Sequence, residues 1–197
     1  KPLELGSTAD YTKDKGIMTI EDVYHGEGTK GVARGTIKKI RVVGLEYRAL
    51  SVGSSGHASQ DGTPSANYAH PIGRSNASWD VKTILGEAQV YEDGSAAFYV
   101  PARYPVFLQA IDEKGHTVQT MRSWAKLMPG ETFSCVGCHE SKLEVIPPMP
   151  QSIASQRGPQ ELTEFYGPFR GFSFQKEIQP ILDAKCVSCH SGQQVPD

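Results

Sequence analysis

The chain has 197 residues, which is enough for one or two domains with a buried core. Its charge is nearly balanced, with 20 Lys and Arg against 22 Asp and Glu, and this excludes both a basic surface for nucleic acid and an acidic tail. No apolar run approaches the roughly 18 residues that suggest a membrane span.

The first half of the chain predicts loops around one clear strand. Residues 1–30 are polar, with several Gly, Asp and Lys, so we expect a loop there. A half-buried strand is predicted over 36–43, where apolar and basic residues mix. Residues 51–78 are rich in Ser, Gly and Asn and predict a long loop, a kind of segment that often carries function. This loop contains His57 and His70.

A regular series of short strands and turns follows. Strand patterns cover 79–86, 88–91, 97–101, 106–111 and 116–121. Tight turns are predicted at 92–95, where Asp-Gly is a strong hairpin signal, and at 112–115. Short strands with turns at such regular spacing predict a mainly β fold, a β-sandwich-like module.

A helix is predicted near the C-terminus. Residues 147–150 are rich in Pro and form a stiff, non-helical connector. The pattern over 174–185 predicts an amphipathic helix, and its apolar face consists of Phe174, Ile178, Ile181 and Leu182. Pro180 lies inside this pattern, so we expect a kink or a later start.

Two copies of the pentapeptide Cys-x-x-Cys-His are the most informative feature of the chain. They consist of Cys135, Cys138 and His139 in the first motif and Cys186, Cys189 and His190 in the second. This spacing is the attachment signature of c-type haem, in which the two thiols add to the vinyl groups and the His becomes an axial ligand of the iron. We therefore predict two covalently attached haem c groups, with both motif histidines as proximal iron ligands.

Zinc and a redox-active dithiol are the alternatives for these cysteines. A structural zinc site commonly uses two Cys pairs, and two pairs are present here. Such a site does not need a His after both pairs, and the βαβ pattern around a thioredoxin-like dithiol is missing. The sequence therefore favours haem, while both alternatives stay open.

A haem iron can take a second axial ligand, for which His and Met are common side chains. His70 ranks first, because it lies in the long loop just before the strand at 79–86. His25 ranks second, because Gly26 beside it permits a close backbone approach. The methionines are Met18, Met121, Met128 and Met149. We expect three of these four to pack in the core or in loops.

Several segments, in the same order, resemble the middle domain of the hydrazine synthase alpha subunit family. They lie at 79–86 (WDVKTILG), 92–96 (EDGSA), 100–102 (VPA), 121–124 (MRSW) and 129–140 (PGE running into SCVGCHE). Residues 23–24 and 34–38 are similar to the start of that domain, and 172–186 to the opening of the cytochrome c domain after it. The resemblance implies a mainly β domain, 1–150, that carries the first haem. It also implies a linker and a truncated, short α-helical cytochrome c-like segment, 151–197, that carries the second.

Two departures from the family pattern bear on function. In a true synthase the family implies that a Tyr four residues after the motif His ligates the haem, while the motif His is diverted to a metal. That position is Leu143 here, which cannot ligate iron, so the resemblance implies an ordinary axial role for His139 and argues against hydrazine synthesis. The family's cytochrome c domain also extends beyond the position of Asp197. We expect either a fragment or a second haem completed by a neighbouring subunit.

The sequence thus predicts a secreted dihaem c-type cytochrome that transfers electrons. Haem c is attached outside the cytoplasm, so we expect a periplasmic or extracellular protein. Its expected partners are redox proteins and, through stacked haems, further copies of the chain in an oligomer or filament. The alternative is a haem redox enzyme of the hydrazine synthase alpha-like type, with one catalytic haem near Arg103 or Arg122 and one relay haem.

Overall fold

A computed structural model describes residues 9–46, 81–139, 143, 150–168 and 174–190. Its strands are β1 (Lys15–Ile20), β2 (Ile37–Glu46), β3 (Val81–Gln89), β4 (Ala96–Pro101), β5 (Val106–Asp112), β6 (Thr117–Thr120) and β7 (Thr132–Cys135). Its α-helices are α1 (Ile153–Arg157) and α2 (Gln179–Lys185), and a π-helical turn, Phe174–Ile178, directly precedes α2. The mainly β architecture with a short C-terminal helical segment is confirmed.

The strands form two sheets that share one core. The smaller sheet has the order β4-β1-β7, in which β1 is antiparallel to β4 and parallel to β7. The larger sheet has the order β3-β2-β5-β6, and all its neighbours are antiparallel. Met18 and Phe98 from the smaller sheet, and Ile40 and Val42 from the larger, are almost completely buried in the same apolar cluster. Burial of each such side chain stabilises the fold by roughly 1.5–3 kcal/mol.

Strand β1 shows that the loop expected over residues 1–30 is wrong for its central part. Gly16, Met18 and Ile20 are buried in alternation along β1, as in a strand with one face toward a core. A Cβ added to Gly16 would lie 2.8 Å from Cδ2 of Leu127, so the missing side chain lets the neighbouring segment approach closely. The strand was missed because its partners lie far away in the sequence.

Both predicted turns form, but only one joins a hairpin. The Gly115 amide donates to the Asp112 carbonyl at 3.2 Å, and this turn joins the antiparallel pair β5 and β6. The Gly94 amide donates to the Tyr91 carbonyl at 2.9 Å, but this turn joins β3 to β4, which lie in different sheets. From Val81 to Gln89, the two strands predicted at 79–86 and 88–91 form one strand, β3, whose register with β2 shifts between Val42 and Val43, and residues 79–80 lie outside the described residues.

Residues 152–163, which we call the strap, run back across the β module. Ser152 caps α1 by accepting from the Ser155 amide. The strap's hydrogen bonds to β3, β4 and the turn before β4 include those from Ile153 N–H to Asp93 Oδ2 (2.7 Å), Ala154 N–H to Ser95 Oγ (3.0 Å), Gln160 N–H to Ala97 O (2.8 Å) and Thr163 N–H to Glu87 O (2.8 Å). The strap therefore links β3 of the larger sheet to β4 of the smaller sheet. The domain boundary predicted at residue 150 stays a prediction.

The C-terminal segment 174–190 has no buried residue. Pro180 occupies the first turn of α2, where a missing amide costs little, so the helix starts later than the pattern alone predicts. Two side chains of the predicted apolar face are more than half exposed, Phe174 at 54% and Ile181 at 56%. None of the helices within the described residues is both long and apolar enough to cross a membrane.

Candidate functional site

The first Cys-x-x-Cys-His motif begins on the last residue of β7. Cys135 pairs there with Ile20, the last residue of β1. Beyond this pair, the loop at 21–25 continues along the motif, backbone to backbone. The bonds run from Glu21 N–H to Cys135 O (3.0 Å), Asp22 N–H to Val136 O (2.9 Å) and Cys138 N–H to His25 O (3.0 Å). Main-chain hydrogen bonds thus fix both cysteines of the motif.

Two glycines permit this close packing of the motif. A Cβ added to Gly137 would overlap the carbonyl oxygen of His25 and lie 2.7 Å from its carbonyl carbon. A Cβ added to Gly28 would lie 2.7 Å from the carbonyl oxygen of Cys138. The side-chain amide of Gln119, on β6, donates to the Gly28 carbonyl. The motif is therefore held against a loop that the larger sheet also supports.

An ion pair with a buried carboxylate holds the loop at 21–25 in place. The Asp22 side chain is 12% exposed, and its carboxylate accepts from the Tyr24 amide at 3.0 Å. It also pairs with the guanidinium of Arg34, which donates to the Asp93 carbonyl at 3.2 Å. A charge-assisted pair with this many partners defines one loop geometry.

A cavity of about 300 Å³ lies beside the motif, between the two sheets. The apolar side chains that line it are Ile20, Ile40, Leu108, Ala110 and Met121. The polar side chains are Gln119, Thr120 and Arg122, and the motif itself contributes Cys135, Gly137, Cys138 and His139. Both cysteines of the motif are half-buried and pack against the core. One end of the sandwich is therefore open, and the first motif lies at the opening.

His139 follows Cys138 with a φ of 65°, in the left-handed region. This conformation costs a residue other than Gly roughly 1–2 kcal/mol. It turns the chain at the end of the motif, where His139 lines the cavity and is also exposed to solvent. Backbone strain of this kind is concentrated at functional sites.

The histidines outside the two motifs, which include the predicted second ligands His70 and His25, do not line this cavity where the structure describes them. His25 lies directly against the motif through its backbone, but its side chain is not among those that line the cavity. His116 is exposed and pairs with Asp112 at the β5–β6 turn, with 3.2 Å between Nδ1 and Oδ2. His57 and His70 lie outside the described residues.

One methionine and one arginine named in the sequence analysis do line the cavity. They are Met121 and Arg122, directly after β6. Met18 is instead fully buried in the core, and Arg103 lies over the ring of Tyr11, 5.8 Å from its centroid. The sequence offered Met121 only as one of four methionines, because its place beside the motif depends on sheet pairing.

The second motif is built from local hydrogen bonds. Cys186 ends α2, with its amide donating to the Leu182 carbonyl at 2.8 Å. The His190 amide donates to the Cys186 carbonyl at 2.8 Å, so the motif continues the helix as one further turn. Cys186 is half-buried, whereas Cys189 and His190 are exposed.

The two Cys pairs do not share a site in the part of the chain that the structure describes. All four cysteines lie in that part, and none forms a disulfide. Among its His, Cys, Asp and Glu side chains, no group of three or more converges as metal ligands do. A zinc site built from both pairs needs four ligands around one ion, and the fold does not assemble them there.

Comparison with known proteins shows where the first motif belongs. Residues 35–140, more than half of the chain, match the model of the hydrazine synthase alpha subunit middle domain. The chain belongs to this family. The match ends one residue after His139, so the first motif and the strands β2, β5 and β6 that line its cavity lie within the hydrazine synthase alpha domain. The strap and the second motif lie beyond the matched residues.

A sequence comparison and a structural comparison each find similarity over most of the chain. The hydrazine synthase subunit alpha of Kuenenia stuttgartiensis is 23% identical over 227 residues, which cover 88% of this chain and 28% of that protein. A solved structure of Kuenenia stuttgartiensis hydrazine synthase matches with a TM-score of 0.62 and 20% identity, over 94% of this chain and 31% of that one. The structural likeness shows a shared fold. The chain spans less than a third of the length of either relative.

Proposed function

We propose that this chain is a dihaem c-type cytochrome module that transfers electrons. The observation that carries the proposal is the first Cys-x-x-Cys-His motif, whose two half-buried cysteines line an apolar cavity between the sheets. Cys135 and Cys138 would hold the first haem through thioethers, and His139 would be its proximal ligand. A bound haem supplies a one-electron couple between ferrous and ferric iron.

The residues around the first motif fit a haem. The apolar walls of the cavity suit the faces of a macrocycle, because they exclude water from it. Arg122 lines the same cavity, and a guanidinium pairs well with carboxylates such as the haem propionates. The main-chain bonds of the motif keep Cys135 and Cys138 at one separation before any haem is attached.

The second haem would be held by Cys186 and Cys189, with His190 as its proximal ligand. These residues lie on a short, exposed helical segment, so this haem would be close to the surface and able to exchange electrons with a partner protein. The exposed side chains of Phe174 and Ile181 beside it support a protein contact there. Such a contact agrees with an oligomer or filament of stacked haems. Since haem c is attached outside the cytoplasm, we propose a periplasmic or extracellular location.

A haem redox enzyme is the second candidate function. It is favoured by the polar side chains of Gln119, Thr120 and Arg122 in the cavity wall, which are groups that could orient a substrate. Leu143, at the position where the family implies a ligating Tyr in a synthase, is 88% exposed and cannot bind iron. A first haem that is five-coordinate and binds cyanide or nitrite would support the enzyme over the electron carrier.

Intact mass tests the dihaem proposal. We expect the protein from a host that matures c-type cytochromes to exceed its polypeptide mass by two haems. The variants C135A/C138A and C186A/C189A should each lose one haem and retain the other. Val187→Ala, in the exposed spacer of the second motif, is the matched control and should retain both. A polypeptide mass without haem, or one zinc ion bound by the four thiols, would reject the proposal.

A further inference from the structure

We propose that Met121 is the second axial ligand of the haem held by the first motif. The inference rests on the proposed function, because it requires a haem attached at Cys135 and Cys138. With His139 as the other ligand, that haem would be six-coordinate, with one nitrogen and one sulfur donor from the chain.

The first argument is the chemistry of the cavity wall. Besides the two cysteines, which the thioether bonds would use, the wall includes two side chains of the kinds that commonly ligate haem iron. These are His139, the motif's own ligand, and Met121. The other side chains of the wall are aliphatic groups, an amide, a hydroxyl and a guanidinium, which are poor ligands for haem iron.

The second argument is the direction from which each donor reaches the cavity. His139 follows β7 of the smaller sheet, whereas Met121 follows β6 of the larger sheet. The two donors therefore reach the cavity on two separate segments of the chain, as two ligands of one iron can. The Met121 backbone is fixed, because its amide donates to the Leu108 carbonyl at 2.8 Å and extends the β5–β6 ladder by one bond.

The third argument is the placement of the other described donors. Met18 is completely buried in the core, and Met128 is 36% exposed and does not line the cavity. Neither His25 nor His116 lines it. Within the described residues, Met121 is therefore the second ligand that this cavity offers.

Ligation by His and Met has a functional consequence. A thioether ligand stabilises ferrous iron relative to a second imidazole and raises the reduction potential. A six-coordinate haem also leaves no open position for a substrate. The first haem would then be a higher-potential electron carrier, which separates it from the catalytic haem of the alternative function.

The test compares Met121→Leu with Met128→Leu, a methionine of the same chain outside the cavity. Both are made in the full chain with C186A/C189A, so that only the first haem contributes to the spectrum. In the parent protein we expect a low-spin haem with a sulfur-to-ferric-iron charge-transfer band at the red end of the visible range. M121L should lose this band, become high-spin and titrate at a lower potential, while M128L should keep the parent spectrum and potential.

A second variant separates ligation from folding. M121H should restore a low-spin haem without the sulfur band. If M121L does not fold, NMR of the methyl-labelled parent protein serves instead, because the methyl group of a ligating Met is shifted far upfield by the ring current in the ferrous state. A sulfur band that persists in M121L, or a parent haem without one, would overturn the proposal. In the latter case H25A and H70A would show which His is the ligand. A protein without attached haem would instead reject the proposed function, and intact mass reports this independently of ligation.

Discussion

Gly137 sets how closely the first motif approaches the loop at 21–25. This spacer residue faces the His25 carbonyl, and the neighbouring Cys138 amide donates to the same carbonyl. A larger residue at 137 would have to push the loop away from the motif. Both cysteines lie within two residues of this contact, so their geometry depends on it.

We expect Gly137→Ala to lower the free energy of unfolding by about 3 kcal/mol, because the new Cβ overlaps backbone atoms that cannot move independently. Chemical denaturation measures this loss. Gly31→Ala is the control, since Gly31 has a positive φ of 82° but open space around it, and the substitution there should cost only about 1–2 kcal/mol of left-handed strain. Equal losses in the two variants would show that the contact with His25 adds nothing to the cost of a side chain at position 137.

The six motif residues are predicted as haem attachment sites from the sequence and stay a prediction, whereas the contact of Gly137 and the place of Met121 could not be predicted from it. The spacing of Cys and His is a local pattern with its own chemical meaning. The contact between Gly137 and His25 joins residues more than a hundred positions apart. Only the pairing of β1 with β7 brings those residues together.

At the scale of elements, Glu87 on β3 links the larger sheet to the strap. Its carboxylate is 6% exposed and accepts from Lys39 Nζ at 2.8 Å and from Arg41 at 2.8 and 3.0 Å. Its backbone pairs with Thr163 of the strap. Arg41 also lies over the ring of Phe165, 4.4 Å from the ring centroid. One buried charge cluster thus holds β2, β3 and the end of the strap together.

We expect Glu87→Gln to lower the free energy of unfolding by about 2–3 kcal/mol, because it leaves the mostly buried Arg41 without a carboxylate partner. Glu161→Gln removes the exposed pair with Lys15 and is the control, with an expected cost below about 1 kcal/mol. Urea denaturation near neutral pH compares the two variants. If E161Q costs as much as E87Q, burial is not what gives the Glu87 cluster its strength.

The same residue makes stability depend on pH. Burial raises the pKa of Glu87, but hydrogen bonds and charge from Lys39 and Arg41 outweigh it and hold the pKa below its usual 4.5. The stabilisation is therefore complete above about pH 4.5 and is lost as the pH falls through the lower pKa of the folded state. Denaturation is measured from about pH 6 down to about pH 3, the range in which carboxyl groups titrate. The free energy of unfolding should fall more steeply with pH for the parent protein than for E87Q. If the free energy of unfolding falls with pH equally in both proteins, Glu87 is not the source of this pH dependence.

Most strands could be predicted, and the misses share one cause. The series from β2 to β6 follows local patterns of apolar residues and turns. β1 and β7 are short, and each pairs with a strand from a distant part of the chain. β1 pairs mainly with β4, and β7 pairs with β1. The Asp93-Gly94 turn was predicted correctly, but local chemistry does not decide whether the strands on either side share a sheet.

At the scale of the molecule, burial is unevenly distributed. The β module and the strap contain every buried residue among those described, while 174–190 contains none. The strap buries Ser152 and Ala154, and the backbone amides of Ile153 and Ala154 donate to Asp93 and Ser95 of the module. We infer that the stability of the fold comes from the module together with the strap.

We therefore expect the free energy of unfolding of a chain that ends at Pro168 to lie within about 1 kcal/mol of that of the full chain. This corresponds to a difference of a few degrees in Tm. A chain that ends at Pro150 also lacks the strap. It should lose about 3 kcal/mol or more, because buried acceptors on β4 and the preceding turn lose their partners. Calorimetry of the three proteins checks this order. A large loss on removal of 169–197 alone would show that the C-terminal segment contributes to the core.

The two pentapeptides are held by contacts that span very different distances along the chain, so they should reach their final structures at different times. The turn at 186–190 is closed by bonds that span at most five residues, and helical turns form within about a microsecond. The strand that ends at Cys135 must find Ile20, and proteins dominated by such distant pairings fold in roughly milliseconds to seconds. At the proposed location outside the cytoplasm, the new chain would therefore present its second thiol pair on a preformed scaffold almost at once. The first pair would stay on an open, reachable segment until the sheet closes, which gives a modifying enzyme its main period of access.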